Sequence, residues 1–304
     1  MTKSNWTKDS IGDLTGKTAI VTGGASGIGF DAALVLAAKG AHVILAVRNI
    51  GKGQKALDSI IAQHPSAKVE LMHIDLGDLE SVKLFAETYA LRGQGLDLLI
   101  NNAGVMIPPL RHTLQGWELQ FGTNHLAHFL LTGLLLPIIT ATPGSRIVTV
   151  SSIASRGAKI DFTNLDGKKG YSPMKFYRQS KYSNLLFGRK LDMLLKERGV
   201  ETKSIICHPG VSATNLMSRG SGKQTGGFIN WGFRLVGQPA EMGALPTLFA
   251  ATHPDLKGGE YVGPEGRGNW RGNPAISKEI DSLYNDKLAE ELWKKSEEIT
   301  GFKY

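Results

Sequence analysis

Residues Thr18 to Thr22 (TAIVT) form a short β-branched run that leads directly into Gly23-Gly24-Ala25-Ser26-Gly27-Ile28-Gly29. A helical pattern from Gly29 to Lys39 follows, and then a second apolar run, His42 to Val47. Strand, glycine-rich turn, helix and strand in that order make a βαβ unit. Glycines at such a turn allow a tight bend, let backbone approach a pyrophosphate and pack the helix against the strand. The helix N-terminus then offers free N–H groups and a partial positive charge to the phosphates. A purely structural turn is the alternative reading. The position of this turn in the first βαβ unit of an alternating chain favours phosphate binding.

The rhythm continues. Val69 to Ile74 reads as a third strand, Leu79 to Tyr89 as a helix and Leu96 to Ile100 as a fourth strand. Leu114 to Ile139 is mostly helical in pattern, and Arg146 to Val150 is a fifth strand. Phe176 to Arg198 is a long amphipathic helix, and Glu201 to Cys207 a sixth strand. Apolar strands alternating with helices imply a parallel sheet covered on both faces. The expectation is an α/β fold: one Rossmann-type, doubly wound parallel sheet of about seven strands, forming a single domain over residues 1–304. Residues 1–15 read as a short extension, and 275–304 as a helical tail. Residues 212–238, rich in Gly and Ser, read as a lid over the site, where Phe228, Trp231 and Phe233 either cap an apolar substrate or join the core.

Composition narrows the function. At 41% apolar and 20% charged residues the chain can bury a full core and is not disordered. Its one cysteine, Cys207, excludes an internal disulfide and a cysteine-built metal site. The formal charge is +8, but Lys and Arg are scattered without interleaved aromatics, so a solvated surface is preferred to a nucleic-acid site. The opening residues lack the apolar core of a signal peptide. The most apolar stretch, Phe129 to Ile139, falls short of the about 20 residues a bilayer requires. The expectation is a cytoplasmic protein with no membrane partner. His125 and His128 stand three apart, but no acidic or cysteine-rich segment accompanies them. A packing or polar-network role is read in preference to zinc, and no metal is expected.

The end of the second strand governs the choice of dinucleotide. An acidic residue there would bind the adenosine ribose of NAD and repel a 2′-phosphate. This chain has Arg48-Asn49 instead. A guanidinium can pair with that phosphate through charge-assisted bonds, and Ser26 could add a donor. NADP(H) is therefore preferred, with NAD(H) still possible. A merely solvated Arg48 is the alternative.

Tyr177 and Lys181 lie four residues apart, on one helix face. Phenols ordinarily ionise near pH 10, and a nearby ammonium lowers that value. Alone, the pair fits any amphipathic helix. Yet TGGASGIG, NNAG (Asn101 to Gly104), VSS (Val150 to Ser152), YRQSK (Tyr177 to Lys181) and HPG (His208 to Gly210) occur in order. On these motifs the chain resembles the short-chain dehydrogenase/reductase family over essentially its full length. Within that family it looks closest to the retinol dehydrogenase-like and WW-domain oxidoreductase-like group. The evidence is NNAGVM, TNHLAHFLLT (Thr123 to Thr132), YRQSKYSNLL and the 25 positions separating Ser152 from Tyr177.

The resemblance implies a catalytic tetrad of Asn124, Ser152, Tyr177 and Lys181. Ser152 would hold the substrate oxygen and Tyr177 would give or take the proton. Lys181 would lower the tyrosine pKa and hold the nicotinamide ribose, and Asn124 would place a water through its backbone. It also implies cofactor contacts from Gly23, Ser26, Gly27, Ile28 and Gly29, from Arg48 and Asn49, and from Asp75 and Leu76. Asn102, Ala103 and Gly104, then Pro209, Gly210, Val211 and Thr214, complete the set. Asp75 could instead cap a helix. Family members tend to form homodimers or homotetramers on the helices holding Asn124 and Tyr177. The expected activity is that of an NADP-dependent carbonyl reductase or alcohol dehydrogenase. Val105, Met106 and Ile107 offer no charge, which suits an apolar substrate. The alternatives are a C=C reductase acting on enones or protochlorophyllide-like substrates, and an NADP-binding redox-sensor scaffold.

Overall fold

Strand β1 (Thr18–Thr22) pairs in parallel with β2 (His42–Val47) on one side and β4 (Leu98–Asn101) on the other. This computed structural model describes residues 6–211 and 239–304. Outside β2 lies β3 (Lys68–His73). On the other side β4 is followed by β5 (Arg146–Val150), β6 (Lys203–Cys207), β7 (Tyr261–Pro264) and β8 (Pro274–Ser277). The order β3-β2-β1-β4-β5-β6-β7-β8 reverses direction at β1, so a crevice opens beyond the carboxyl ends of β1 and β4. Among the described strands only β8 runs antiparallel to its neighbour.

The sheet therefore has eight strands where about seven parallel ones were expected, and the tail read as helical from residue 275 first adds this edge strand. Four residues starting with proline are too short to show an alternating pattern, and an edge position tolerates the missing N–H. Helices α7 (Ile280–Leu283) and α8 (Asp286–Thr300) follow it.

The remaining helices cover both faces. On one, α1 (Ile28–Ala38) and α6 (Ala240–Thr252) pack Ala32, Ala33 and Leu36 with Ala244 and Leu248 against the sheet. The second α/β connection carries α2 (Ile50–Gln63). On the other face lie α3 (Leu79–Ala90), α4 (Leu119–Thr140) and α5 (Pro173–Glu197), which bury Phe85, Phe129, Leu135 and Phe187. The chain's own C-terminus covers part of the α4–α5 surface. Tyr304 donates its hydroxyl to Phe129 O at 2.7 Å, and the Phe302 ring fills the notch at Gly133.

Two local differences from the sequence reading bear on the site. Helix α4 starts at Leu119 rather than Leu114, because Thr113 to Trp117 close a turn and Glu118 caps the helix from Phe121 N. At 22 residues it is long and apolar enough to cross a bilayer by length and composition, whereas the sequence reading stopped at Phe129 to Ile139; here 83% of its most apolar window is buried. Inside it, Gly122–Leu126 form a π turn.

Candidate active site

The glycine loop leaves one helix end open. Gly27 adopts φ +59°, ψ −145°, a conformation open essentially to glycine alone, and it begins α1 without any side-chain cap. The first N–H groups of α1 thus remain available to an anion. A Cβ at Gly29 would sit 2.4 Å from Asn102 Nδ2 and 2.7 Å from Gly23 O, so helix and strand ends approach as only glycine permits. The Thr22 hydroxyl accepts N–H bonds from both Asn102 and Ala103 at 3.0 Å, tying the ends of β1 and β4 together. Ser26, Gly27, Ile28 and Gly29 line an open cleft with Asn102, Ala103, Gly104, Pro209, Tyr177 and Lys181. Val150, Ser151 and Val105 complete its wall. A cleft with backbone for its floor and an uncapped helix end fits a dinucleotide diphosphate.

Beyond Ser26 the surroundings become wet. Arg48 and Asn49 emerge exposed from β2, and Arg48 makes no ion pair among the described residues. Asn49 Oδ1 accepts from Lys52 N at 2.8 Å, so this side chain is committed to starting α2. Lys52 and Lys55, with Ser26 and Ser59, border a depression adjoining the cleft. Neither lysine was singled out in the sequence. The available signal was their place on the first turns of the helix that follows Arg48. Asp75 does not cap α3. That role falls to Asp78, whose carboxylate accepts from Glu80 N at 3.0 Å. Asp75 accepts from Gly77 N at 2.8 Å and stays half-buried beside buried Leu76.

The far end is dry. Pro173 occupies the first helical position of α5, where its missing N–H costs nothing. One and two turns later Tyr177 and Lys181 project into the cleft, only 7% and 4% exposed. Lys181 Nζ donates to Val150 O at 2.9 Å, and burial brings its pKa down to about 8. Burial pushes the Tyr177 phenol up, while the Ser152 hydroxyl, its hydrogen-bonding neighbour, works against that rise. The four-residue spacing predicts a phenol lowered by Lys181. The direction is the opposite, because loss of hydration dominates and the lysine's hydrogen bond goes to backbone. Ser151 differs from Ser152: its hydroxyl donates to Lys181 O at 2.7 Å and pins α5 to β5.

Asn124 lies in the π turn and is fully buried. Its amide grips Val105 at both backbone groups, accepting from N at 2.8 Å and donating to O at 3.0 Å. Its own carbonyl accepts from His128 Nδ1 at 3.0 Å. His128 Nε2 stands 3.0 Å from Thr22 Oγ1, so the hydrogen-bond pattern assigns the proton to Nδ1 and makes Nε2 an acceptor. Burial takes His128 down to about 4, keeping it neutral. His128 therefore links the glycine loop to Asn124. His125, also buried, bonds Ser296 Oγ at 2.9 Å.

The turn after β6 is fixed from two sides. Gly210 has φ +67°, His208 Nδ1 accepts from Gly210 N at 3.2 Å, and Val211 N donates to Trp270 O at 2.9 Å. Thr214 and the aromatic residues Phe228, Trp231 and Phe233 lie outside the described residues.

The fold has known counterparts. The family model for short chain dehydrogenases matches residues 17–224. Human polyprenol dehydrogenase is 36% identical over 94% of this chain and 85% of its own length. Mouse retinol dehydrogenase 11 is 44% identical over 67% of this chain and 64% of its own. Among solved structures, an uncharacterised protein of Mycobacterium paratuberculosis superposes with a TM-score of 0.80 at 36% identity, covering 99% of both chains. A candidate NAD(P)-dependent gluconate 5-dehydrogenase of Beutenbergia cavernae, with bound NADP, has a TM-score of 0.63 at 25% identity, covering 79% of this chain and 91% of its own.

Proposed function

The chain belongs to the short-chain dehydrogenase family, and on that premise we propose that it is an NADP(H)-dependent oxidoreductase interconverting an apolar alcohol and its carbonyl compound, with Tyr177 as the proton-transfer group. One observation carries this reading: the uncapped N-terminus of α1 and the Tyr177–Lys181 face of α5 line the same cleft. Bound NADP(H) would donate or accept the hydride. The loop from Ser26 to Gly29 would hold its diphosphate. Arg48, aided by Lys52 and Lys55, would pair with its 2′-phosphate. Lys181 would face the ribose at the reacting end.

In carbonyl reduction Tyr177 gives its phenolic proton to the substrate oxygen while Ser152 holds that oxygen in place. Burial keeps the phenol protonated at neutral pH, which is the form reduction requires. Lys181, charged below about pH 8, stabilises the phenolate left behind. Asn124 holds the Val105 backbone, and with it one wall of the cleft. That wall presents no charge, which supports an apolar substrate. The retinol and polyprenol dehydrogenases among its relatives make isoprenoid alcohols and aldehydes the first compounds to try. We place its action in the cytoplasm, on a small molecule. NADPH oxidation against a panel of aldehydes, ketones and enones, with product identification, tests the proposal. Alcohol products support it, saturated ketones from enones would favour C=C reduction, and binding without turnover would favour a sensor.

A further inference from the structure

The loop that follows β4 turns on a residue whose conformation needs outside support. Ile107 has φ +53°, and a β-branched side chain in the left-handed region persists only where its surroundings hold it. Its N–H donates to Gln120 Oε1 at 2.9 Å. Gln120 is fully buried near the start of α4, and its Nε2 donates to Pro173 O at 3.0 Å. One N–H and one C=O as partners fix which end of the amide is oxygen. Pro173 opens α5, one helical turn before Tyr177. A second tie runs alongside, since the Tyr171 hydroxyl donates to Pro108 O at 2.7 Å and receives an N–H from Gln120 at 3.1 Å. On the near side, Asn124 grips Val105, which lines the cleft. Among the described residues, Gln120 alone bonds both this loop and the first residue of the Tyr177 helix.

We infer that Gln120 is a positioning residue that sets substrate selectivity, by holding Ile107 in its left-handed turn at a fixed separation from Pro173 and hence from Tyr177. The inference rests on the oxidoreductase reading above and deepens it. Without the amide, Ile107 relaxes toward extended backbone, and the loop that carries the cleft-lining Val105 loses its register with the helix. Long apolar substrates, which extend along that loop beyond the reacting carbon, suffer more than short ones.

The test is Gln120→Met, which keeps length and approximate volume but makes none of the bonds to Ile107, Pro173, Tyr171 and Glu118. With NADPH and straight-chain aldehydes of increasing length, the long-to-short ratio of kcat/KM falls about tenfold, mostly through KM of the long members. The kcat for the shortest aldehyde and the KM for NADPH stay within about twofold. Amide exchange in the segment containing Ile107 speeds up about tenfold. A uniform loss across chain lengths, or an unchanged ratio, overturns the selectivity role, and unchanged exchange overturns the brace. Ile107→Gly gives a second route, because glycine takes the left-handed turn without support. Added to Gln120→Met it restores most of the long-to-short ratio, and by itself it leaves that ratio within about twofold of the unmodified chain. Lost selectivity in Ile107→Gly alone, or no rescue in the double variant, overturns the inference even if Gln120→Met by itself does not fold. Failure of the unmodified chain to reduce any aldehyde would instead sink the oxidoreductase reading, and the selectivity role with it. The exchange measurement would then still decide whether the brace exists.

Discussion

The two ends of the cleft are built on opposite principles. At the end proposed to react, Tyr177, Lys181, Asn124 and His128 are buried, and each polar group is held by backbone or by a near neighbour. Beyond Ser26, at the end proposed for adenosine, Arg48, Lys52 and Lys55 stand exposed. Burial makes geometry rigid and moves proton equilibria, as with Lys181 at about 8. Exposure leaves charge free to attract a phosphate but subject to screening. Chemistry therefore depends on small displacements at one end, while affinity depends on charge count and salt at the other.

Substitutions can break this contrast, the largest effect first. Tyr177→Phe removes one hydroxyl from the dry end. Turnover should drop by about 10²–10⁴, the usual contribution of a positioned proton donor. Fluorescence titration should find NADPH affinity nearly unchanged, and equal losses in both would contradict the division of labour. Arg48→Asp changes only the wet end. It should shift the NADPH-to-NADH ratio of kcat/KM by roughly 10- to 100-fold, in line with one charge-assisted bond. A drop in kcat with no change in that ratio would place Arg48 outside the adenosine site.

The pH profile sharpens the contrast. Lys181 carries its proton below about 8, and Tyr177, pushed upward, is still a phenol there. Carbonyl reduction should be flat below that pH and fall about tenfold per unit above it, as the ammonium that stabilises the phenolate is lost. A profile that rises through pH 8 would reverse the assigned roles. The smallest effect is ionic. Raising salt from about 0.05 to 0.5 M should increase KM for NADPH several-fold and leave kcat alone, because screening reaches the exposed cations and not the buried end. Equal salt dependence for NADH would argue against 2′-phosphate recognition by Arg48, Lys52 and Lys55.

Legibility in the sequence followed the same divide between local and distant. The strands β1 and β2 and the turn between them were readable because spacing and glycine chemistry operate within a few residues. The end of β2 declared its cation for the same reason. The late start of α4 was hidden, since the Glu118 cap and the preceding turn interrupt a hydrophobic pattern that otherwise continues. The antiparallel β8 was too short to show a period. Gln120 carried no signal either: its partners, Ile107 and Pro173, lie 13 and 53 positions away.

From the sequence alone came the alternation of strands and helices, the open helix end at the glycine turn, and the presence of a phenol and an amine one turn apart. These follow from backbone sterics and periodicity. Tertiary packing alone decided that the phenol is pushed up rather than down, that His128 is neutral with its proton on Nδ1, and that Thr22 meets a histidine 106 positions away. Hydration lost on burial and hydrogen bonds between remote segments are sums over the whole packed molecule, and no window along the chain contains them.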